Sequence, residues 1–276
     1  MIDLTGKVAW VAGAARPPGI GRATAIALAR AGADVACVDI VDDRAGTEQS
    51  FRVRQAALEA TAVDVRAEGR RALVLPVDLA DGGAVDASVA TTVAELGRID
   101  IGCNLSGGTG PMLGSGALLD LAPEAWAAAL DANVTAAFFG ARACGRAMRE
   151  QGSGGAIVNL SSSAALVAEP GSVAFSSARA ALGRMTEGLA RELGPDGIRV
   201  NAVCPMGVDP GSAGNPGLVR GATGGGRSLE EWAAARIPLG RLQAAEETAN
   251  VILFLASDLA SFVSGQSILV AGGAPA

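Results

Sequence analysis

Short apolar runs alternate with longer helical patterns along this whole chain, and that alternation limits the possible folds more than any other feature. Val8–Ala12, Asp34–Asp39, 72–77, 99–104, 156–160, 199–203 and Ser267–Val270 each read as a strand of four to six residues. Most are apolar on both faces, as expected where helices cover both sides of a parallel sheet. Helical patterns fill the gaps, notably 21–31, 123–150, 172–193 and 245–255. The pattern predicts one doubly wound parallel α/β domain over residues 1–276, with about seven strands. A length of 276 residues suits a single unit of this kind. Half of the residues are apolar but only 3% are aromatic, so Ala and Gly must supply close helix–sheet packing.

Two segments break the rhythm. Residues 42–69 are too long for an ordinary crossover and predict an extended helix preceded by a surface loop. Residues 207–226 are dense in Gly, Pro and Ser, and a short helix follows around 229–235. A loop leaving the carboxyl edge of the sixth strand is placed to act as a lid, so 207–236 is expected to cover a ligand.

The first strand runs into Gly13-Ala14-Ala15-Arg16-Pro17-Pro18-Gly19-Ile20-Gly21, which opens directly into a helix. Glycines between a strand and a helix let the backbone turn tightly and approach a pyrophosphate, which rests on the positive helix end. Asp39 closes the second strand, eighteen residues past Gly21. A carboxylate there accepts ribose hydroxyls and repels a 2′-phosphate, which favours NAD(H) over NADP(H). Arg16 in the loop partly offsets that repulsion.

Composition removes other classes. The net charge of −6 has no basic run, which argues against a nucleic-acid surface, and no basic amphipathic stretch suits a membrane face. The N-terminus does not read as a signal peptide. Cys37, Cys103, Cys144 and Cys204 lack metal-ligand spacing, and with no His in the chain no metal site is expected. They read as reduced, mostly buried thiols of a cytoplasmic protein. With neither His nor Tyr, proton transfer must use other side chains, water or the substrate.

On these motifs the chain resembles the short-chain dehydrogenase/reductase family from Leu4 to Gly273, with a Rossmann-type fold. That family carries Thr-Gly-x-x-x-Gly-x-Gly; here Ala12-Gly13 is followed by five residues before Gly19, two more than usual. Asp78-Leu79 matches the family's Asp and the apolar residue that brackets adenine. Asn104-Leu105-Ser106-Gly107 loosely matches its Asn-Asn-Ala-Gly turn. The resemblance therefore implies cofactor contacts from Gly13, Arg16, Gly19, Ile20, Gly21, Asp39, Asp78, Leu79, Asn104, Ser106 and Gly107. Stretches 194–201, 237–241, 254–258 and 263–266 are typical of the family as they stand.

The catalytic positions depart from the pattern. The family uses a Ser, a Tyr thirteen residues later, a Lys four beyond, and an Asn on the preceding long helix. Ser162 and Asn133 match, but Phe175 occupies the Tyr position and Arg179 the Lys position. In the family the Tyr hydroxyl gives or takes the proton, while the Lys lowers the Tyr pKa and holds the ribose. Phe has no proton to give. Arg keeps its charge and is a poor relay, though it can donate to ribose hydroxyls. Phe175 and Arg179 are four apart on a helix and share a face. At the nicotinamide end Pro205 and Val208 are the expected cofactor contacts, while Met206 and Pro210 replace the family's Gly and Thr. Glu169 and Asp209 are candidate bases should burial raise their pKa.

The resemblance implies an NAD(H)-dependent oxidoreductase acting on a small organic substrate with altered proton chemistry. Two alternatives stand beside it: a catalytically degenerate partner of an active homologue, and a non-redox cyclase, dehydratase or isomerase on the same scaffold. Relatives form tetramers or dimers through the two long helices, so a homo-oligomer is expected.

Overall fold

The computed structural model describes residues 2–40, 48–110, 113–209 and 228–274. Seven parallel strands form one sheet in the order β3-β2-β1-β4-β5-β6-β7. They are β1 Val8–Ala12, β2 Asp34–Asp39, β3 Ala72–Pro76, β4 Ile101–Asn104, β5 Gly155–Leu160, β6 Ile198–Pro205 and β7 Ser267–Val270. The helices are α1 Ile20–Arg30, α2 Glu48–Ala67, α3 Gly82–Leu96, α4 Pro123–Leu130, α5 Ala136–Gln151, α6 Val173–Leu193, α7 Leu229–Arg236 and α8 Ala245–Ala256. The strand order reverses between β1 and β4, and such a switch point opens a crevice at the carboxyl ends of the strands.

Helices cover both faces because the central strands are apolar on both. All five residues of β1 are buried. One core cluster joins Val11, Val35, Cys37 and Cys103 to Leu28 of α1 and to Ile252 and Leu255 of α8. The other joins Trp10, Val38 and Ile157 to Val85 of α3, Cys144 of α5 and Leu193 of α6. Small residues are required where elements meet: a Cβ on Gly102 of β4 would lie 3.0 Å from the Cys144 sulfur. All four cysteines are free and buried. Burial pushes the Cys37 and Cys103 thiols up to about 12, which leaves them protonated and inert.

The helix expected over 123–150 is interrupted. Residues Asp131–Thr135 form a π-helical turn between α4 and α5, and Asn133 lies within it. Such bulges occur frequently at functional sites. The long charged segment after β2 is helical from Glu48, as expected, and residues 41–47 lie outside the described region. Most of the expected lid, 210–227, also lies outside it, while its short closing helix is α7. Among the described residues no helix is long and apolar enough to cross a membrane.

Candidate active site

The loop between β1 and α1 is built so that three glycines have no substitute. Gly13 has φ +86°, and a Cβ on it would lie 2.7 Å from the Leu105 carbonyl carbon and from the Ser106 nitrogen. The loops after β1 and β4 therefore touch at the switch point. A Cβ on Gly19 would lie 2.5 Å from the Arg16 carbonyl oxygen. On Gly21 it would lie 2.1 Å from the Gly13 carbonyl oxygen, so α1 packs directly on the turn it follows. Gly19 caps α1 with no side-chain acceptor and the first turn holds no acidic residue, which leaves the positive helix end for an anion.

The loop is pinned on both sides. The Asp39 carboxylate at the end of β2 accepts the Ala15 N–H at 2.7 Å and the Ile40 N–H at 2.8 Å. The buried Thr61 hydroxyl of α2 donates to the Ala14 carbonyl at 2.8 Å. Arg16 is exposed on the loop. Ile20 and Val208 both pack against the cluster of Ala23, Ala245 and Ala249, which brings the turn after β6 close to the start of α1. Val208 also bridges Gln243, and Pro205 is buried at the end of β6. These features fit a dinucleotide across the crevice: glycines where a Cβ would clash, an open helix N-terminus, and an acidic group ending the second strand.

Two residues expected to touch cofactor use their side chains otherwise. Leu79 is buried in the core on the α3 side, so its side chain is a packing contact and not an open adenine bracket. At that strand end Asp78 accepts the Ala80 N–H at 2.9 Å. Asn104 donates to Asn159 at 2.8 Å, and Asn159 donates to the Thr186 hydroxyl at 2.9 Å. This buried chain ties β4 to β5 and α6, and the Asn104 oxygen packs where a Cβ on Gly140 would sit. Gly107 and the neighbouring Ser106 remain at the crevice, with Gly107 at φ +114°.

The catalytic positions converge at the ends of β4 and β5. Asn133 is buried; its amide oxygen accepts the Gly108 N–H at 2.9 Å and its nitrogen donates to the Gly108 carbonyl at 2.9 Å. It thereby fixes the turn after β4. Ser162 follows β5, partly exposed, and its hydroxyl accepts the Ala164 N–H at 3.2 Å. Phe175 is partly buried, and the Arg179 guanidinium carbon lies 5.2 Å from its ring centroid. The shared helix face is thus a cation–π contact.

Arg179 does not present itself as a ribose donor. Its residue is 3% exposed, one terminal nitrogen donates to the Leu160 carbonyl, and Nε has no hydrogen-bond partner. The other terminal nitrogen faces Gly107. Burial brings the guanidinium down to about 10, so it remains a cation at neutral pH. Nearby, the Cys204 thiol is pushed up by burial and stays protonated. Glu169 does not meet the condition for a buried base: its side chain is 51% exposed and pairs with Arg236 of α7. That pair ties the segment before α6 to the helix closing the lid region. Asp209 is also exposed.

The sequence family described as Enoyl-(Acyl carrier protein) reductase matches residues 13–275. Cyclohexanol dehydrogenase of Rhodococcus sp. (strain TK6) is 35% identical over 276 residues, covering 99% of this chain and 97% of that protein. Cis-4-hydroxycyclohexanecarboxylate dehydrogenase of Sinomonas cyclohexanicum is 37% identical, covering 97% and 96%. The crystal structure of carveol dehydrogenase from Mycobacterium avium in complex with NAD superposes with a TM-score of 0.88 at 30% identity, covering 99% of both chains. The chain belongs to the short-chain dehydrogenase/reductase family. It is an oxidoreductase of that family, and the partner-subunit and non-redox alternatives are not favoured.

Proposed function

We propose that this chain uses NAD(H) in preference to NADP(H) to interconvert a small alcohol and carbonyl compound, without a side-chain proton relay at position 175. The observation that carries the cofactor preference is the Asp39 carboxylate, fixed beside the glycine loop by the Ala15 N–H. A negative charge at that place accepts ribose hydroxyls and repels a 2′-phosphate. Two relatives are named for substrates with hydroxylated cyclohexane rings, which supports a cyclic alcohol or ketone as the first substrate class to test.

The nicotinamide group supplies or accepts the hydride. The protein's part is to position and stabilise. Asn133 holds the turn at Gly108 and so shapes the crevice wall. Ser162 offers a partly exposed hydroxyl at the end of β5 for a substrate oxygen. Phe175 supplies an apolar surface in place of a hydroxyl, so the proton comes from water or from the substrate. Loss of a positioned general acid costs about 10²–10⁴ in rate, so ordinary ketones should turn over slowly. A homo-oligomer paired through α5 and α6 is the expected assembly.

The test is steady-state assay with NADH and with NADPH against cyclohexanone, a cyclic 1,3-dione and their alcohols. Turnover with NADH well above NADPH supports the reading. Equal use of both cofactors would remove the preference. No turnover with any member of the panel would remove the substrate class.

A further inference from the structure

A cavity of about 130 Å³ opens beside the carboxyl ends of β6 and β7. Its apolar walls are Met206, Ile237, Leu239, Val270 and Ala271. Ile237 and Ala271 are buried, and Leu239, 68% exposed, marks the side open to solvent. Among the described residues, those on the loops after β1, β4 and β5 take no part in the lining, so the cavity meets the dinucleotide crevice only through the turn after β6. Its walls are fixed. The Met206 N–H donates to the Val270 carbonyl at 3.1 Å, and the Gln243 amide nitrogen donates to the Met206 and Val270 carbonyls at 2.8 Å each. The Leu239 N–H donates to the Gly272 carbonyl at 3.1 Å. A Cβ on Gly272 would lie 2.7 Å from the Ile237 side chain, so the walls already touch there and cannot close onto the space.

The polar side chains of the lining are used among themselves. Arg241 donates to both Glu247 carboxylate oxygens, at 2.7 and 2.8 Å, and the Gln243 amide oxygen accepts the Thr248 hydroxyl at 2.5 Å. A charged or polyhydroxylated ligand would have to break these bonds and leave polar groups unpaired. An apolar ligand only gains contacts, with walls of carbon and sulfur that otherwise lack partner atoms. An apolar cavity of about 150 Å³ is enough for one benzene ring, and a thioether such as Met206 adds a favourable contact to an aromatic ring. We propose that this cavity is a second binding site, for a compact uncharged apolar molecule the size of one six-membered carbon ring. The site stands apart from the glycine loop and Asp39, so the inference does not depend on the NAD(H) reading.

The test is titration of the full chain, labelled with ¹³C at the methionine methyls, with benzene and separately with benzoate. The Met206 signal is assigned from Met206→Leu. Benzene should shift the Met206 methyl saturably, with a dissociation constant of about 1 mM, and should give intermolecular nuclear Overhauser contacts to it. Benzoate, which brings a charge to a rim whose cation is already paired, should bind at least tenfold more weakly. Ala271→Leu puts a side chain into the cavity and should weaken benzene binding at least tenfold, whereas Ala271→Gly should keep it. The contacts in the unmodified protein decide the matter even if Ala271→Leu fails to fold. A Met206 methyl that benzene does not shift, a shift that never saturates, or a shift that survives in folded Ala271→Leu overturns the inference. So does benzoate binding as tightly as benzene. Failure to bind benzene in a dimer that Leu239→Arg splits would show that a second copy of the chain covers the cavity, and would also overturn it.

Discussion

Replacing Gly21 with Ala tests whether the loop after β1 is the working nucleotide site. The new methyl carbon would lie 2.1 Å from the Gly13 carbonyl oxygen and 2.7 Å from its carbon, where contacts under 3.0 Å are essentially never tolerated. Both atoms are backbone, so no side chain can rotate away. Gly13 is itself held against Leu105 and Ser106, and the loop beyond it by Asp39 and Thr61. The loop must therefore move as a unit or α1 must shift along its axis. Overpacking of this kind costs about 1–3 kcal/mol. If bound dinucleotide needs the original loop, that strain appears as NADH affinity weaker by roughly 5- to 150-fold. Thermal unfolding should fall by about 2–4 °C for each kcal/mol. Gly194→Ala is the control: its φ is −55° and a Cβ there meets nothing within 4 Å. It should stay within about 0.5 kcal/mol of the unmodified protein and bind NADH normally. Calorimetry and a thermal melt on both variants suffice. Unchanged NADH affinity in Gly21→Ala would refute the assignment of this loop.

Three further outcomes follow from the geometry. Asp39→Ala removes the acceptor for the Ala15 N–H and the carboxylate proposed to face the ribose, so NADH should bind more weakly while NADPH gains relative to it, read by parallel titrations. Phe175→Tyr with Arg179→Lys restores the family's proton pair and should raise turnover of a simple secondary alcohol by about 10²–10⁴; no gain would mean that Met206 or Pro210 has altered the nicotinamide end as well. Asn159→Ala breaks the buried chain from Asn104 to Thr186 and should cost about 1–3 kcal/mol of stability, measured by denaturant unfolding.

The strands were legible because each is a run of buried apolar residues bounded by polar or glycine turns; β1, β2 and β7 match the sequence reading at both ends. The glycine loop was legible because only a close approach explains three glycines in that place. The π-turn at Asn133 was not, since periodicity over 123–150 does not register one extra residue per turn. Leu79 and Asn104 show a second limit. A motif fixes where a residue stands on a strand end, while packing decides whether its side chain faces the crevice or the core. The pairing of Glu169 with Arg236 joins residues 67 positions apart, which no local pattern reveals. For Arg179, helical spacing gave its contact with Phe175. Its inward turn to Leu160 depends on space left by Gly107 and on the end of β5.

Titration of the purified protein with NADH and NADPH decides whether the crevice holds a dinucleotide. Saturable binding of NADH, well above NADPH, through the glycine loop and Asp39 is the expected result. Absence of binding by either nucleotide would contradict it, whatever activity is later found for the chain.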